Sequence, residues 1–306
     1  MRIVSLVPVA TEILCEIGLA DELVGISADS DWPSDLREIP HVTRVDQDPA
    51  AALDGSARLI AFTHGIVPGL VADPAAIAAL APDLVVTQSR CRACGVLVRP
   101  VGPPGTLRSE VTLLDLEATS IEGILNSITT VGAMTETEDE AVDLVESLRI
   151  RLGVIEEAVE RRRMSGRRAR RVVALQRLLP PAAAGHWLPE QIRRAGGWEI
   201  LGEAGGPATP STWETVAEVD PEILLLIPAD LRINVARTLW DRAPKPDAWD
   251  EIAAVRSGQV FLLDSPYFSR PGPRAIDGIE LLAEVLDPDA FVETSPPGSW
   301  TPLYLA

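Results

Sequence analysis

Short apolar runs alternate with helical patterns over the first part of the chain. The apolar runs predict strands at 3–6, 23–26, 59–62, 84–87 and 111–116. Apolar residues spaced three and four apart predict helices at 11–19, 75–80 and 121–131. Strands that alternate with helices form mainly parallel sheets covered by helices. Residues 1–133 are therefore expected to form an N-terminal α/β lobe.

The middle of the chain has the pattern of one long helix. Residues 135–163 contain no proline, and apolar side chains recur along them on one stripe. Acidic residues crowd the start of this segment and three arginines close it, which complements the helix dipole. At 1.5 Å per residue such a helix is about 40 Å long, the width of a domain. We expect residues 134–166 to bridge two lobes; an ordinary long helix within one domain is the alternative.

The second half repeats the alternation of the first. Strands are predicted at 172–175, 223–227 and 260–263, and helices at 189–195, 231–240 and 275–286. Residues 167–287 are therefore expected to form a C-terminal α/β lobe. The segment 288–306 is rich in proline and is expected to be an extended tail.

Composition narrows the class of partner. Of the 306 residues, 46% are hydrophobic and 24% charged, which is typical of a folded protein, and the length suggests two domains. The formal net charge of −18 disfavours nucleic acid and anionic membranes as partners. No apolar run approaches the ~18 residues that span a bilayer, so no membrane insertion is expected.

Seven arginines lie within 161–171. A solvated helix end followed by a linker is favoured over a nucleic-acid patch.

The chain lacks the sequence signals of secretion and of several kinds of catalysis. No hydrophobic stretch typical of a signal peptide follows Met1. This predicts a cytoplasmic protein, or a periplasmic or cell-surface one if a leader precedes Met1 in the natural chain. The glycine fingerprint of dinucleotide-binding loops, the phosphate-binding P-loop and the nucleophile elbow of hydrolases are all missing. The chemistries that depend on these three motifs are therefore excluded.

Candidate binding residues lie on the loops that follow predicted strands, because ligands of parallel sheets bind beyond the carboxyl ends of the strands. Aromatic residues are scarce, yet several lie on these loops and suit a large, flat, partly apolar ligand. The candidates are Pro8, Thr11, Trp32, Gln88, Cys91, Cys94, His186, Trp187, Tyr267, Phe268 and Arg270. For any one of the aromatic side chains, a lid over the core is the alternative.

Two of these candidates form a Cys-x-x-Cys pair. A structural zinc site needs two further ligands, and no second cysteine pair exists. A redox or disulfide pair, soft-metal or iron–sulfur ligation together with Cys15, and packing or ligand contact all stay open. Cys15 itself lies in an apolar helical pattern typical of a core residue. His186 is the best single candidate for contacting a metal centre, with a hydrogen-bonded structural role as its alternative.

Several motifs carry a resemblance that spans nearly the whole chain. The segments 5–13, 82–85, 195–197 and 255–261 resemble the cobalamin- and ferric-siderophore-binding proteins of ABC importers. The resemblance is most specific in Gly-His-Trp-Leu-Pro-Glu at 185–190 and Tyr-Phe-Ser-Arg-Pro-Gly-Pro-Arg at 267–274. With Thr87-Gln88 followed by the cysteine pair, these resemble a cobalamin-binding subgroup that often lacks a signal peptide.

The resemblance implies the class III periplasmic-binding-protein fold, in which two Rossmann-like parallel-sheet lobes are bridged by one long backbone helix. It also implies a non-catalytic protein that holds a corrinoid, cobalamin, in the cleft between the lobes. All the candidate residues given above except Trp32 are carried over by motif as ligand contacts.

Partners follow from the same resemblance. It implies a small-molecule metal chelate as ligand and the permease of an ABC transporter as partner, whereas a cytoplasmic chain would hand the corrinoid to a corrinoid-using protein. We expect a monomer. A ferric-siderophore or haem binder is one alternative, in which Arg90, Arg92 and Arg270 face an anionic chelate. A Cys-ligated metal or redox protein on the same frame is another.

Overall fold

The computed structural model describes residues 1–45, 70–88, 110–229 and 231–303. These residues divide into two compact units. The N-terminal unit contains residues 1–45, 70–88, 110–118 and 122–147, and the C-terminal unit contains residues 119–121, 148–229 and 231–303.

A four-stranded parallel sheet forms the centre of the N-terminal unit. Its strands are β1 (Ile3–Ser5), β2 (Leu23–Gly25), β5 (Leu84–Thr87) and β6 (Thr112–Asp115), in the order β2-β1-β5-β6. A separate antiparallel pair consists of β3 (Thr43–Val45) and β4 (Leu70–Ala72). The helices in this part of the chain are α1 (Pro8–Glu16), α2 (Pro74–Ala79) and α3 (Ile121–Thr135).

The local signals in the sequence explain these elements. The two central strands, β1 and β5, read as apolar runs because their apolar side chains are buried in the parallel sheet. Asp73 caps α2 by accepting hydrogen bonds from the amides of Ala75 and Ala76. Helix α1 begins at Pro8, three residues before the predicted start, because the fixed φ of proline suits the first turn of a helix. The strand predicted at 59–62 lies outside the described residues.

The sheet of the C-terminal unit is mixed. Its strands are β7 (Arg170–Leu178), β8 (Pro181–Ala183), β9 (Gly197–Glu199), β10 (Thr209–Pro210), β11 (Ile223–Leu226), β12 (Val260–Leu263) and β13 (Trp300–Pro302). The order is β10-β8-β7-β11-β12-β13, and β9 pairs with β7. Strands β9, β7, β11 and β12 pair in parallel, whereas β10, β8 and β13 pair antiparallel. The predicted parallel core is therefore confirmed, with antiparallel strands added at its margins.

Six helices accompany this sheet within the described part of the unit. They are α5 (Leu188–Arg194), α6 (Trp213–Val219), α7 (Ile233–Arg242), α8 (Ala253–Arg256), α9 (Pro266–Ser269) and α10 (Arg274–Leu286). On one side of the sheet, three tryptophans pack against one another. The ring centroid of Trp249 lies 5.5 Å from that of Trp213 and 4.9 Å from that of Trp240, and all three side chains are buried. These large apolar surfaces supply much of the local packing.

The long helix predicted in the middle of the chain is present as α4 (Glu138–Met164), with 27 residues and a length of about 40 Å. Residues 138–147 belong to the N-terminal unit and residues 148–164 to the C-terminal unit. Within the latter, Arg151 donates hydrogen bonds to Glu280 and Asp277 on α10. None of the helices in the described ranges is both long enough and apolar enough to cross a membrane.

The proline-rich C-terminal segment differs from its prediction as a plain extended tail. It returns to the sheet as β13, which pairs antiparallel with β12. The ring of Trp300 packs edge-on against Phe261 at 5.7 Å, and Leu303 is buried in the core. Proline is tolerated here because β13 lies at the margin of the sheet.

A buried amide joins three helices of the C-terminal unit. The Gln191 side chain on α5 is fully buried, and its Nε2 donates to the carbonyls of Tyr267 on α9 at 3.0 Å and of Ala275 on α10 at 2.8 Å. Gly278 on α10 leaves room for this junction. A Cβ there would lie 2.5 Å from the Tyr267 carbonyl oxygen and 2.8 Å from Gln191 Nε2.

Replacing Gly278 by alanine is expected to lower the free energy of unfolding by about 1–3 kcal/mol, because the new methyl group overlaps backbone that cannot move aside. Gly153→Ala on α4 is the matched control, since a Cβ there meets nothing within 4 Å. We expect that change to raise stability by up to about 1 kcal/mol. Urea unfolding followed by circular dichroism measures both. Equal effects of the two substitutions would contradict the assignment of a tight junction.

Candidate functional site

In the N-terminal unit, the predicted site residues after β1 are tied into a network of hydroxyl groups. The Thr11 hydroxyl lies 2.8 Å from that of Ser5 and 2.9 Å from that of Ser30, and Ser30 in turn lies 2.9 Å from Ser27 Oγ. Thr11 is fully buried, and the neighbouring Pro8 on the first turn of α1 is also buried. This network orders the loop after β2, and direct ligand contact by Pro8 and Thr11 stays a prediction.

The loop after β2 carries the one N-terminal candidate with substantial exposed surface among those described. The Trp32 side chain is 44% exposed. Gln88, which follows β5, is 3% exposed and so offers little surface. Cys91 and Cys94 lie outside the described residues. Cys15 on α1 is half-buried, and burial raises the pKa of its thiol to about 11, which makes it a weak nucleophile and metal ligand.

In the C-terminal unit, His186 is held by its backbone. It adopts a positive φ of 53°, its N–H donates to the Gly206 carbonyl, and its carbonyl accepts from Gly205 at 2.8 Å. The preceding Gly185 must be glycine, because a Cβ there would lie 2.4 Å from the Ala208 nitrogen. The backbone around His186 is therefore clamped against the 205–208 segment.

The His186 ring has no protein partner for its nitrogens within the described residues. Both Nδ1 and Nε2 are shielded from solvent and make no hydrogen bond, although the side chain as a whole is half-buried. Burial lowers the pKa of this imidazole, so the ring is neutral at pH 7. A neutral imidazole without a hydrogen-bond partner has a lone pair to offer a metal centre or a donor.

Trp187 and Phe268, two aromatic residues predicted as ligand contacts, are more deeply buried than His186. Trp187 is 2% exposed and Phe268 is fully buried, so both side chains belong to the core. The Trp187 ring centroid lies 5.8 Å from that of His186, at an angle of 31°. These two aromatic residues are lids over the core in this conformation, the alternative left open by the sequence, and their contact with a ligand stays a prediction.

Tyr267 and Arg270 offer partly exposed surface on the neighbouring segment. The Tyr267 ring is half-buried, and the Arg274 guanidinium carbon lies 5.7 Å from its centroid. Burial raises the pKa of the Tyr267 hydroxyl, which therefore stays protonated at neutral pH. Gln191, on the helix that begins after His186 and Trp187, donates a hydrogen bond to the backbone carbonyl of Tyr267. His186, Tyr267 and Arg270 are the predicted residues that retain accessible surface in this unit.

Sequence reasoning missed the residues that support these segments. Gln191 gave no signal beyond being a polar residue on the apolar face of a helix. Asp264, at the carboxyl end of β12, is 3% exposed; it accepts from the Ile233 amide at 2.8 Å and lies 3.1 Å from Arg232. This carboxylate anchors the start of α7 beside the segment that carries Tyr267.

Glu199 holds a segment that packs against the backbone just before His186. Its carboxylate accepts from the amides of Ala174, Leu201 and Gly202 at 2.9–3.0 Å. Gly202 in turn lies against Ala184, because a Cβ there would come 2.3 Å from the Ala184 carbonyl oxygen. Burial raises the pKa of the Glu199 carboxyl to about 7, against the lowering effect of these amides.

The described side chains do not assemble a metal site of their own. Within the ranges that the structure describes, no group of three or more His, Cys, Asp or Glu residues is placed to hold a metal ion. The ligation set that combines Cys15 with Cys91 and Cys94 lies partly outside the described residues. A single histidine such as His186 suits a metal that arrives inside an organic chelate better than a free ion.

Comparison with known proteins gives a consistent family. The family model described as periplasmic binding protein matches residues 3–267. An uncharacterized ABC transporter substrate-binding lipoprotein of Bacillus subtilis is 24% identical over 95% of this chain and 82% of its own length. The vitamin B12-binding protein of Vibrio cholerae is 22% identical over 93% of this chain and 88% of its own. A periplasmic haem-binding protein of Pseudomonas aeruginosa shares the fold, with a TM-score of 0.67, 21% identity and coverage of 94% and 93% of the two chains. The predicted fold class is thereby confirmed.

The Glu199 carboxyl generates a pH dependence of stability. Its folded pKa lies above the ordinary value near 4.5, so the folded state binds more protons than the unfolded chain between pH 4.5 and about 7. Stability is therefore expected to fall as pH rises through this window, by on the order of 2 kcal/mol. Comparing urea unfolding at both ends of the window in the wild type and in Glu199→Gln isolates the effect, with the exposed Glu203→Gln as control. The same pH slope in all three proteins would contradict this assignment.

Proposed function

Because the chain belongs to the periplasmic binding protein family, we propose that it is the substrate-binding protein of an ABC importer and that its ligand is a corrinoid such as cobalamin. The protein would bind and release this ligand without changing it chemically. Its partner would be the permease of the importer; a corrinoid-using protein inside the cell is the partner if the chain is cytoplasmic.

The observation that carries the proposal is the state of His186. A neutral imidazole whose nitrogens have no partner among the described residues costs free energy unless a ligand provides one. The clamped backbone fixes the position of the residue, so little backbone entropy is lost on binding. The cobalt of a corrinoid, or a polar group at the edge of the corrin ring, would supply the missing partner.

Tyr267 and Arg270 complete the proposed contact surface on this unit. The half-buried ring of Tyr267 offers an apolar edge and a protonated hydroxyl, and Arg270 offers a cation and donors. A corrin ring is large and flat and carries amide groups at its rim, so it matches an aromatic edge flanked by hydrogen-bond donors. On the N-terminal unit, the exposed indole of Trp32 is the described residue best suited to a similar contact.

We favour a corrinoid over haem as the ligand because of the ligand that the names of the sequence relatives state. The sequence relatives whose names state a ligand are vitamin B12-binding proteins, matched over more than nine-tenths of this chain. The haem-binding protein supports the fold. Haem is nevertheless the second candidate, since a neutral histidine is also a common ligand of haem iron.

The direct test is to mix the purified chain with excess aquocobalamin, remove unbound ligand on a desalting column and record the visible spectrum. We expect corrin absorbance at one ligand per chain. A colourless fraction with cobalamin, together with retention of ferric haem in a parallel run, would contradict the corrinoid assignment and favour haem. Retention of neither would contradict both.

Substitution of His186 tests the contact. His186→Asn tolerates the positive φ, removes the imidazole and is expected to raise the Kd for aquocobalamin about tenfold or more. If the imidazole coordinates cobalt, the corrin bands of the wild-type complex shift on binding and those of the variant do not. His41→Asn, at an exposed histidine of the N-terminal unit, is the matched control. An unchanged Kd in His186→Asn would remove this residue from the site.

Tyr267→Ala separates stacking from coordination. Loss of the ring is expected to weaken cobalamin binding by about 1–3 kcal/mol. Because the hydrogen bond from Gln191 goes to the backbone carbonyl of Tyr267, the junction itself should survive the change. Calorimetric titration gives the affinity and urea unfolding checks the stability. Full affinity in a folded Tyr267→Ala variant would show that the ring makes no contact with the ligand.

A further inference from the structure

The arginine-rich segment of the chain lines a cavity in the C-terminal unit. The cavity has a volume of about 780 Å³ and lies among the end of α4, the start of β7, the end of α5 and β9. This volume falls within the range of small-molecule pockets, roughly 300–1,000 Å³. Helix α5 begins next to His186 and Trp187 and ends at Arg193 and Arg194, so the cavity lies at the opposite end of that helix from the proposed corrinoid contacts.

The charge of the cavity opposes that of the molecule. Eight arginines and three acidic side chains line it, a formal excess of five positive charges in a chain whose net charge is −18. Part of this charge is neutralised within the structure. Arg162 and Arg167 share Asp287, and Arg168 pairs with Glu222.

Two of the arginines remain weakly engaged. Arg163 and Arg193 each reach a carboxylate at 3.7 Å in the described part of the chain, those of Glu160 and Glu190, and their side chains are 78% and 69% exposed. An exposed pair at this distance contributes little to stability. Their guanidinium groups can turn toward an anion, for which arginine offers a planar fork of donors.

A large aromatic side chain lines the same cavity. Trp198 on β9 is 60% exposed, although the other described tryptophans of this unit are buried or half-buried. Its backbone is fixed by pairing with Arg171 on β7. An indole on a rigid strand that lines the same cavity as weakly paired guanidinium groups can serve as a stacking platform for the ring of an anionic ligand.

We propose that this cavity binds a nucleotide-class ligand, a small molecule that joins a flat heteroaromatic ring to two or more phosphate groups. The ring stacks on Trp198, and the phosphate oxygens accept hydrogen bonds from Arg163 and Arg193. The proposal goes beyond the corrinoid function and does not depend on it, because it rests on a different set of residues.

The net charge of the chain favours a small ligand over a polymer. Repulsion from a molecule with charge −18 grows with the number of phosphates in the partner, so a long nucleic acid is opposed along most of its length. A ligand with a few negative charges fits inside the basic cavity, where it interacts mainly with the nearby arginines and less with the negative charge of the rest of the chain.

Calorimetric titration of the full chain with ADP tests the proposal, with adenosine and inorganic pyrophosphate as the two half-ligands. We expect saturable binding of ADP that weakens as salt is added. Each half-ligand is expected to bind more weakly than ADP, since each lacks one set of contacts. The absence of saturable ADP binding would overturn the proposal.

Variants locate the binding. Trp198→Ala is expected to weaken ADP binding about tenfold or more, and Trp198→Phe to restore most of it. The double substitution Arg163→Ala and Arg193→Ala is expected to weaken ADP about tenfold and to reduce the salt dependence. Arg242→Ala, at an exposed arginine outside the cavity, is the control and should change nothing. ADP affinity that survives in both the tryptophan and the arginine variants would overturn the assignment. So would pyrophosphate binding as tightly as ADP with no effect of Trp198→Ala, because the site would then recognise an anion alone.

Discussion

The side-chain amide of Gln191 is the interaction on which the candidate surface of the C-terminal unit depends. One buried nitrogen donates to two carbonyls, one from the segment that carries Tyr267 and one from the first turn of α10. Because a buried amide left without acceptors is costly, the three helices are held in one arrangement. His186 lies just before the helix that carries Gln191, and its own backbone is held by hydrogen bonds with Gly205 and Gly206. Arg274, over the Tyr267 ring, lies on the helix held by the second of these bonds.

The elements that the sequence predicted best are those determined by local pattern. Strands β5 and β12 lie at the predicted residues because a strand buried on both faces is apolar along its whole length. The long helix was predicted by its periodicity and by the charges at its ends. Strands β8, β9, β10 and β13 were missed. They contain glycine or proline and are stabilised by pairing with distant segments, which no local pattern encodes.

The candidate site was predictable in its residue types and less so in its exposure. His186 and Trp187 follow β8, and Tyr267 and Phe268 lie on α9 after β12, so the segments that follow strands do carry the aromatic and polar residues that the sequence singled out. Which aromatic side chain faces solvent is decided by packing, and the structure buries Trp187 and Phe268 while leaving Tyr267 and His186 accessible. The basic cavity could not be predicted from the sequence, for a related reason. Its arginines come partly from one segment, but Arg193 and Trp198 join them only through the fold.

The two units differ in tryptophan content and therefore in intrinsic fluorescence. Six of the seven tryptophans occur after residue 186, and Trp32 alone precedes them. Intrinsic fluorescence therefore reports almost wholly on the C-terminal unit, and the clustered rings of Trp213, Trp240 and Trp249 lie close enough to exchange excitation energy. Backbone dichroism reports on both units. A thermal scan recorded in both signals thus distinguishes a molecule that melts as one cooperative body from one whose units melt in sequence.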